Sequence, residues 1–213
     1  MIDFKTWLEN VSTDETKVSG YSQDGTSVVP QSEWKNLIID AIFELPVDRR
    51  FQWSIPVKKI AEGSQANIYS TIDPRKVIRI SRENKENACE KAINDPLLQA
   101  TGGVNKVYDH IVYNKYIITL KEKLRTNWYD ILRKKYSGNR QVWHLLDKIY
   151  TFYATKNLAD FDEILIDMSK VPEMKNLVEA IKVGKTIPLF TMRDLHDENF
   201  ALDKDDNIVI IDC

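Results

Sequence analysis

Apolar side chains recur at helical spacing after Pro30 and Ser32, and this pattern ends at Pro46. Residues three and four apart share one face of a helix, so the pattern predicts an amphipathic helix that docks on the rest of the protein. Its apolar face comprises Trp34, Leu37, Ile38, Ala41, Ile42 and Leu45. The run before it, residues 11–27, is rich in Ser, Thr, Asp and Gly and is predicted to be a loop.

Beyond this helix the pattern changes to short runs of β-branched residues separated by turn residues, which is typical of strands. Three strands are predicted within residues 57–80, and residues 83–94 are predicted to form a helix. Asp95-Pro96 should end that helix, because a residue that precedes proline avoids helical backbone angles. Two further strands are predicted within residues 104–124, with a turn at Asn114.

The second half of the chain is predicted to be mainly helical. Helices are expected over residues 126–136, 140–157 and about 173–183. A strand is predicted for PLFTM, residues 188–192, and a β-hairpin for residues 200–212, with Asp205-Asp206-Asn207 at its tip. Strands that come first and helices that follow indicate an α+β fold.

Composition narrows the functional classes. The chain has 213 residues, a net charge of −2 and a pI of about 6.0, so no nucleic-acid partner is expected. Its two cysteines, Cys89 and Cys213, are too few for a zinc or disulfide framework, and this suits the reducing cytoplasm. No run of about 18 apolar residues is present, so no membrane-spanning segment is expected.

Three polar residues near the predicted hairpin suggest a chemical site. Asp194 precedes the first hairpin strand, Asn199 follows five residues later, and Asp212 ends the second strand. Two carboxylates and a carboxamide at the mouth of one hairpin suit Mg²⁺, which prefers oxygen ligands and keeps phosphates and waters in its shell. A carboxylate there also offers a proton acceptor for a hydroxyl group.

The surrounding motifs resemble those of protein kinases. Met192–Asn199, which reads MRDLHDEN, is similar to the kinase catalytic loop, and Ile208–Asp212 is similar to the strand that carries the metal-binding aspartate. Ile60–Tyr69 lies where the glycine-rich loop is expected, and Lys121–Leu124 lies where the hinge is expected. The resemblance spans about residues 56–212, and it includes the order of three strands, a helix and two strands.

The resemblance implies a two-lobed, protein-kinase-like α+β fold. We expect an N-terminal arm over residues 1–55, a five-stranded N-lobe over residues 56–125, and a truncated helical C-lobe over residues 126–213. The short chain is similar to small prokaryotic or phage serine/threonine kinases, which places it in the cytoplasm, or in the host cytoplasm if a phage encodes it. The partner is expected to be a protein substrate or a docked protein, and the oligomeric state stays open.

The resemblance also assigns a role to each site residue, with ATP and Mg²⁺ as the cofactors. Asp194 would orient the acceptor hydroxyl, while Asn199 and Asp212 would hold the Mg²⁺ ions that bridge the phosphates. Gly63 and Ser64 would let the backbone approach the phosphates. The hinge, from Glu122 to Leu124, would bind the edge of the adenine.

The sequence departs from the kinase pattern at several positions. Arg79 stands where the ATP-contacting lysine is expected, and it would pair with Glu90, or with Glu86 one turn earlier. A planar guanidinium is not equivalent to a compact ammonium at a phosphate contact. The first and third glycines of the loop are Ala61 and Ala66.

Three functions stay open at this stage. The sequence ends at Cys213, one residue after the expected metal ligand, so it is either a naturally minimal kinase-like protein that lacks the usual peptide-binding platform or a longer gene product cut at this point. The first possibility is an active protein kinase that acts on itself or on one docked partner. The second is a pseudokinase that binds ATP or a partner without turnover, which the departure at Arg79 favours. The third is a small-molecule phosphotransferase of the aminoglycoside or choline kinase type.

Overall fold

The computed structural model describes residues 33–62, 66–82, 88–155, 164–190, 195 and 197–211, with side chains omitted for 88–90 and 151–155. The chain divides into two compact units. The first, which we call the sheet unit, comprises Met1–Glu83 and Tyr108–Lys121, and the second, the hairpin unit, comprises Asn84–Val107 and Glu122–Cys213. This division assigns the N-terminal helix to the same unit as the strands, whereas the predicted boundaries at residues 55 and 125 stay predictions.

Five strands form one antiparallel sheet, in the order β1-β2-β3-β5-β4. Their number agrees with the expected five-stranded N-lobe. The turn between the last two strands uses Asn114 and Lys115, both with positive φ, as a tight hairpin turn between twisted strands requires. The strands are β1 Pro56–Glu62, β2 Ala66–Thr71, β3 Lys76–Arg82, β4 Val107–Tyr113 and β5 Tyr116–Glu122.

The predicted amphipathic helix is confirmed as α1, Trp34–Phe43, and it packs on one face of the sheet. The Trp34 ring stacks on Tyr69 of β2, with 4.2 Å between the ring centroids. Burial raises the pKa of Tyr69 to about 12. The docking surface is apolar on both sides, so removing its area from water stabilises the contact.

A short helix, α2 (Val47–Arg50), follows Pro46 and is tied to β4 through Asp109. Asp109 accepts hydrogen bonds from Arg49 Nε at 3.2 Å and from Trp53 Nε1 at 2.8 Å. Burial acts to raise the pKa of Asp109, but the hydrogen bonds from Arg49 and Trp53 outweigh burial and hold the pKa below its usual value. The segment after α1 is therefore attached to the sheet by a charged group as well as by apolar packing.

The hairpin unit combines helices with the predicted hairpin. The hairpin is confirmed as β6 and β7, paired antiparallel with Phe200 opposite Ile210. The apolar core of this unit includes Trp128, Leu146 and Ile181. The elements are α3 Ala88–Ile93, α4 Pro96–Ala100, α5 Trp128–Lys135, α6 Arg140–Thr155, α7 Lys175–Gly184, β6 Phe200–Leu202 and β7 Ile208–Ile210, with residues 164–168 also helical.

The predicted strand over PLFTM is wrong for residues 188–190, the part that the structure describes. These residues form a turn, in which Phe190 N donates to Ile187 O at 3.0 Å. Pro188 has no N–H group to donate to a strand ladder, which favours the turn. The Phe190 ring instead packs at Gly184, where an added Cβ would lie 2.7 Å from the ring.

The Asp95-Pro96 boundary is confirmed, and the chain begins a new helix there. The Asp95 side chain accepts from Leu97 N at 2.8 Å and caps α4, whose first residue is Pro96. A proline is tolerated at that position because its missing N–H group has no partner within a helix. Across the described ranges, no helix combines the length and apolar character needed to cross a bilayer.

Candidate functional site

The segment that resembles the catalytic loop is fixed at two points. Leu195 is buried, and Asp197–Asn199 form a single 3₁₀ turn that leads directly into β6. Trp128 Nε1 donates to Asp197 O at 2.9 Å, and the Trp128 ring meets Phe200 edge-to-face at 6.0 Å. Because Trp128 is itself buried, it holds this turn against α5.

Asn199 lies at the open end of the hairpin. Its side chain is half-buried, and its backbone oxygen accepts from Ile211 N at 2.9 Å. The hydrogen bonding between the two arms of the hairpin therefore continues one residue past the Phe200–Ile210 pair. It sets Asn199 opposite Ile211, the residue that precedes Asp212 in the chain. Asp194 and Asp212 themselves lie outside the described residues.

The other end of the hairpin is a tight turn built around Asp203. The Asp203 carboxylate accepts from the backbone N–H groups of Asp205 at 2.8 Å and Asn207 at 2.9 Å. Asp206 has a φ of +67°, a left-handed conformation that aspartate tolerates better than most residues. The predicted tip at residues 205–207 is thus confirmed.

Two further segments pair with the hairpin, one along each strand. Residues 122–125 flank β6, since Arg125 N donates to Leu202 O at 3.0 Å and Leu202 N donates to Arg125 O at 2.9 Å. Residues 103–106 flank β7, since Asn105 N donates to Ile210 O at 2.8 Å and Ile210 N donates to Gly103 O at 3.0 Å.

These two flanking segments also bond to each other, because Glu122 N donates to Lys106 O at 2.9 Å. The hydrogen bonds therefore run around a closed ring from β6 to β7, to residues 103–106, to residues 122–125 and back to β6. We call these four segments the hairpin frame. A closed ring of backbone hydrogen bonds leaves the hairpin little freedom to slide in register.

Gly103 permits the frame to lie close to α7. A Cβ atom at Gly103 would lie 2.0 Å from Asn176 O, a distance that no side chain can occupy. The preceding Gly102 has a φ of +67°, which favours glycine. This close approach of two backbones explains the second glycine of the Thr101-Gly102-Gly103 segment.

The predicted adenine-binding residues belong to the frame. Glu122 is only 8 % exposed, and Leu124 is half-buried. Burial raises the pKa of the Glu122 carboxyl, and the nearby charge of Asp203 adds to the rise. The expected hinge segment and the hairpin thus form one hydrogen-bonded piece of the hairpin unit.

Arg79 belongs to the sheet unit, and the register of β2 and β3 shows which face it occupies. Ile78 pairs with Tyr69 on the face that α1 covers, and Arg79 pairs with Ile68 on the opposite face. Arg79 is half-buried, and its Nη1 atom is buried. Arg79 is therefore not a fully solvated strand residue.

The remaining predicted residues are only partly described. Gly63 and Ser64 lie outside the described residues, between β1 and β2, and Glu86 also lies outside them. Glu90 lies in α3, and only its backbone is described. The expected pairing of Arg79 with either glutamate stays a prediction.

Arg125 and Trp128 are site residues that the sequence did not single out. Arg125 follows the expected hinge by one residue, and its partners lie 77 or more positions later in the chain. The described residues contain no group of three or more His, Cys, Asp or Glu side chains that could hold a metal ion. Asp212 lies outside the described residues, so the expected Mg²⁺ site of Asn199 and Asp212 stays a prediction.

Compared with known proteins, the chain matches no protein-family model and no curated protein sequence.

Proposed function

We propose that this protein is an ATP- and Mg²⁺-dependent phosphotransferase that resembles a serine/threonine protein kinase. It transfers the γ-phosphate to a protein hydroxyl, either its own or that of a docked partner, in the cytoplasm. The observation that carries the proposal is the Asn199 O to Ile211 N hydrogen bond of 2.9 Å. This bond joins the two arms of the hairpin at its open end, where the motif requires its two metal ligands.

The proposed chemistry relies on positioning and charge neutralisation, as in other phosphoryl transfers. The carboxamide of Asn199 and the carboxylate of Asp212 would hold Mg²⁺, which would neutralise charge on the phosphates. Asp194, five residues before Asn199, accepts the proton of the acceptor hydroxyl. The anchoring of the 3₁₀ turn by Trp128 supports this arrangement, because a fixed loop orients its side chains at low entropic cost.

We expect Arg79, which stands at the position of the ATP-contacting lysine, to supply a cation for the phosphates. A guanidinium places the phosphates less tightly than an ammonium. We therefore expect Arg79→Lys to keep or raise the transfer rate and Arg79→Ala to weaken ATP binding, as measured by single-turnover labelling and calorimetric titration.

The test is incubation with ATP labelled at the γ-phosphate, with Mg²⁺ and with a chelator, alone and with added cell lysate. Mg²⁺-dependent label on protein is the expected result, and Asp194→Ala should remove it while keeping ATP affinity. ATP binding without any transfer would instead favour the pseudokinase. Label on a small molecule would favour the third alternative, and a protein that neither binds nor hydrolyses ATP would end the proposal.

A further inference from the structure

Arg125 joins the two segments of the frame that have separate roles in the proposed function. Its backbone pairs in both directions with Leu202 of β6. Its side chain reaches past that strand to the hairpin tip, where Nη2 donates to Asp203 O at 2.6 Å and to Asp206 Oδ1 at 2.5 Å. One residue before it, Leu124 ends the expected adenine-binding hinge.

The hairpin tip that Arg125 binds has a second cationic contact, from Lys135. Lys135, at the end of α5, lies with its Nζ 2.6 Å from Glu173 Oε1 and 3.8 Å from Asp206 Oδ2. Tyr136 donates its hydroxyl to the same glutamate. Burial acts to raise the pKa of Glu173, but the hydrogen bonds from Lys135 and Tyr136 outweigh burial and hold the pKa below its usual value.

Asp206 therefore has two cationic neighbours, while its backbone is held in a left-handed turn. The Arg125 and Asp206 side chains are 44 % and 37 % exposed, and ion pairs this exposed contribute little to global stability. The same contact can nevertheless fix a position, because it bonds a guanidinium to a backbone oxygen and a carboxylate of one turn. The contact is better suited to holding the tip in place than to stabilising the fold.

We propose that Arg125 is a positioning residue, which locks the hairpin tip to the hinge so that the adenine and the Mg²⁺-bound phosphates are gripped by one rigid piece. This inference rests on the proposed function and adds a coupling to it. With Arg125 in place, binding of the adenine by the hinge also sets the distance to Asn199. Without the Arg125 side chain, the hinge still binds adenine and the backbone bonds of the frame remain, but the hairpin loses its side-chain tie to the hinge, and the distance to Asn199 is less tightly fixed.

The test compares adenosine, which lacks phosphate, with Mg-ATP, and it measures both affinities by calorimetric titration. In the wild-type protein, Mg-ATP is expected to bind more tightly than adenosine. Arg125→Ala should leave adenosine affinity within about twofold and lower the Mg-ATP advantage about tenfold, the size expected for one charge-assisted hydrogen bond. Arg125→Lys should restore part of the advantage, because lysine keeps the positive charge but lacks the planar guanidinium.

Two further variants sharpen the test. Asp206→Asn keeps a residue that tolerates positive φ and removes only the charge, so it should reproduce part of the Arg125→Ala effect. Lys182→Ala is the matched control, because it deletes an exposed ion pair with Glu179 on α7 that has no contact with the tip in the described structure. It should bind both ligands like the wild-type protein.

The outcomes separate this inference from the function on which it rests. A wild-type protein that binds neither ligand would overturn the proposed function itself. A wild-type protein that prefers Mg-ATP, together with an Arg125→Ala variant of unchanged preference, would overturn the coupling alone. Equal loss of adenosine and Mg-ATP affinity in Arg125→Ala would also overturn it, since that pattern indicates general damage to the hinge.

Discussion

The sheet unit and the hairpin frame differ in the forces that stabilise each of them internally. In the sheet unit, α1 buries an apolar stripe against the strands, and Trp34 stacks on Tyr69. In the frame, short segments from distant parts of the chain are joined by backbone hydrogen bonds, with ion pairs at an exposed tip. The first region should therefore respond mainly to lost volume, and the second mainly to added volume.

The largest effect is expected from Trp34→Ala in the sheet unit. Removing a buried indole should lower the free energy of unfolding by about 3 to 5 kcal/mol, because a cavity remains beside Tyr69. Denaturant unfolding measures this loss. Asn36→Ala, at an exposed position on the same helix, is the control and should change stability by less than about 0.5 kcal/mol. Equal effects of the two changes would show that α1 does not dock through its apolar face.

The frame should be damaged by adding a single methyl group. In Gly103→Ala the new Cβ would meet Asn176 O at 2.0 Å, so the backbones of the frame and α7 must separate. Overpacking of this kind costs about 1 to 3 kcal/mol. Gly138→Ala is the matched control, since no atom lies within 4 Å of the added Cβ. If thermal unfolding shows both variants to be equally stable, the close contact at Gly103 is not maintained in solution.

The same comparison explains what could be predicted from the sequence. Helix α1 and the five strands follow from local periods, so the apolar spacing from Trp34 to Leu45 and the β-branched run of β3 were sufficient. The frame depends on bonds such as that from Arg125 to Leu202, which connect residues far apart in the chain. No local pattern encodes such a pairing.

The candidate site shows the same division. The motif from Asp194 to Asn199 and the hairpin that follows were predicted because turn residues and alternation are local signals. The hydrogen bond from Trp128 Nε1 to Asp197 O was not predicted, because it joins residues 69 positions apart and no local sequence pattern indicates such a contact. The error at PLFTM arose because the apolar pattern outweighed Pro188.

Neutralising one carboxylate should lower stability in the sheet unit and raise it in the hairpin frame. The larger effect is expected at Asp109 in the sheet unit. The folded state lowers the pKa of Asp109, so the stabilisation is fully present above the unfolded value of about 3.9 and is lost as the pH falls through the folded value. Asp109→Asn should therefore cost about 1 kcal/mol at pH 7. The difference from the wild-type protein should shrink in denaturant titrations as the pH falls through the lowered pKa of the folded state. A cost that is independent of pH would mean that the charge of Asp109 is not what matters.

Neutralising Glu122 in the frame should have the opposite effect on stability at pH 7, and the change should be smaller than at Asp109. The folded state raises the pKa of Glu122, so its charged form is disfavoured above that pKa, and the penalty vanishes as the pH falls below the unfolded value. Glu122→Gln should thus stabilise the protein at pH 7 and have little effect near pH 4. Unfolding curves at both pH values test this, and destabilisation at pH 7 would contradict the account of Glu122.

The central claim is that the open end of the hairpin binds a metal-bound nucleotide. It is tested most directly by titrating ATP, with and without Mg²⁺, into the wild-type protein, Asn199→Ala and the control Asn36→Ala. The wild-type protein and the control should bind ATP more tightly with Mg²⁺, and Asn199→Ala should lose most of that gain, about tenfold in affinity. A wild-type protein that binds no ATP at millimolar concentration, or an Asn199→Ala variant with the full Mg²⁺ gain, would contradict the claim.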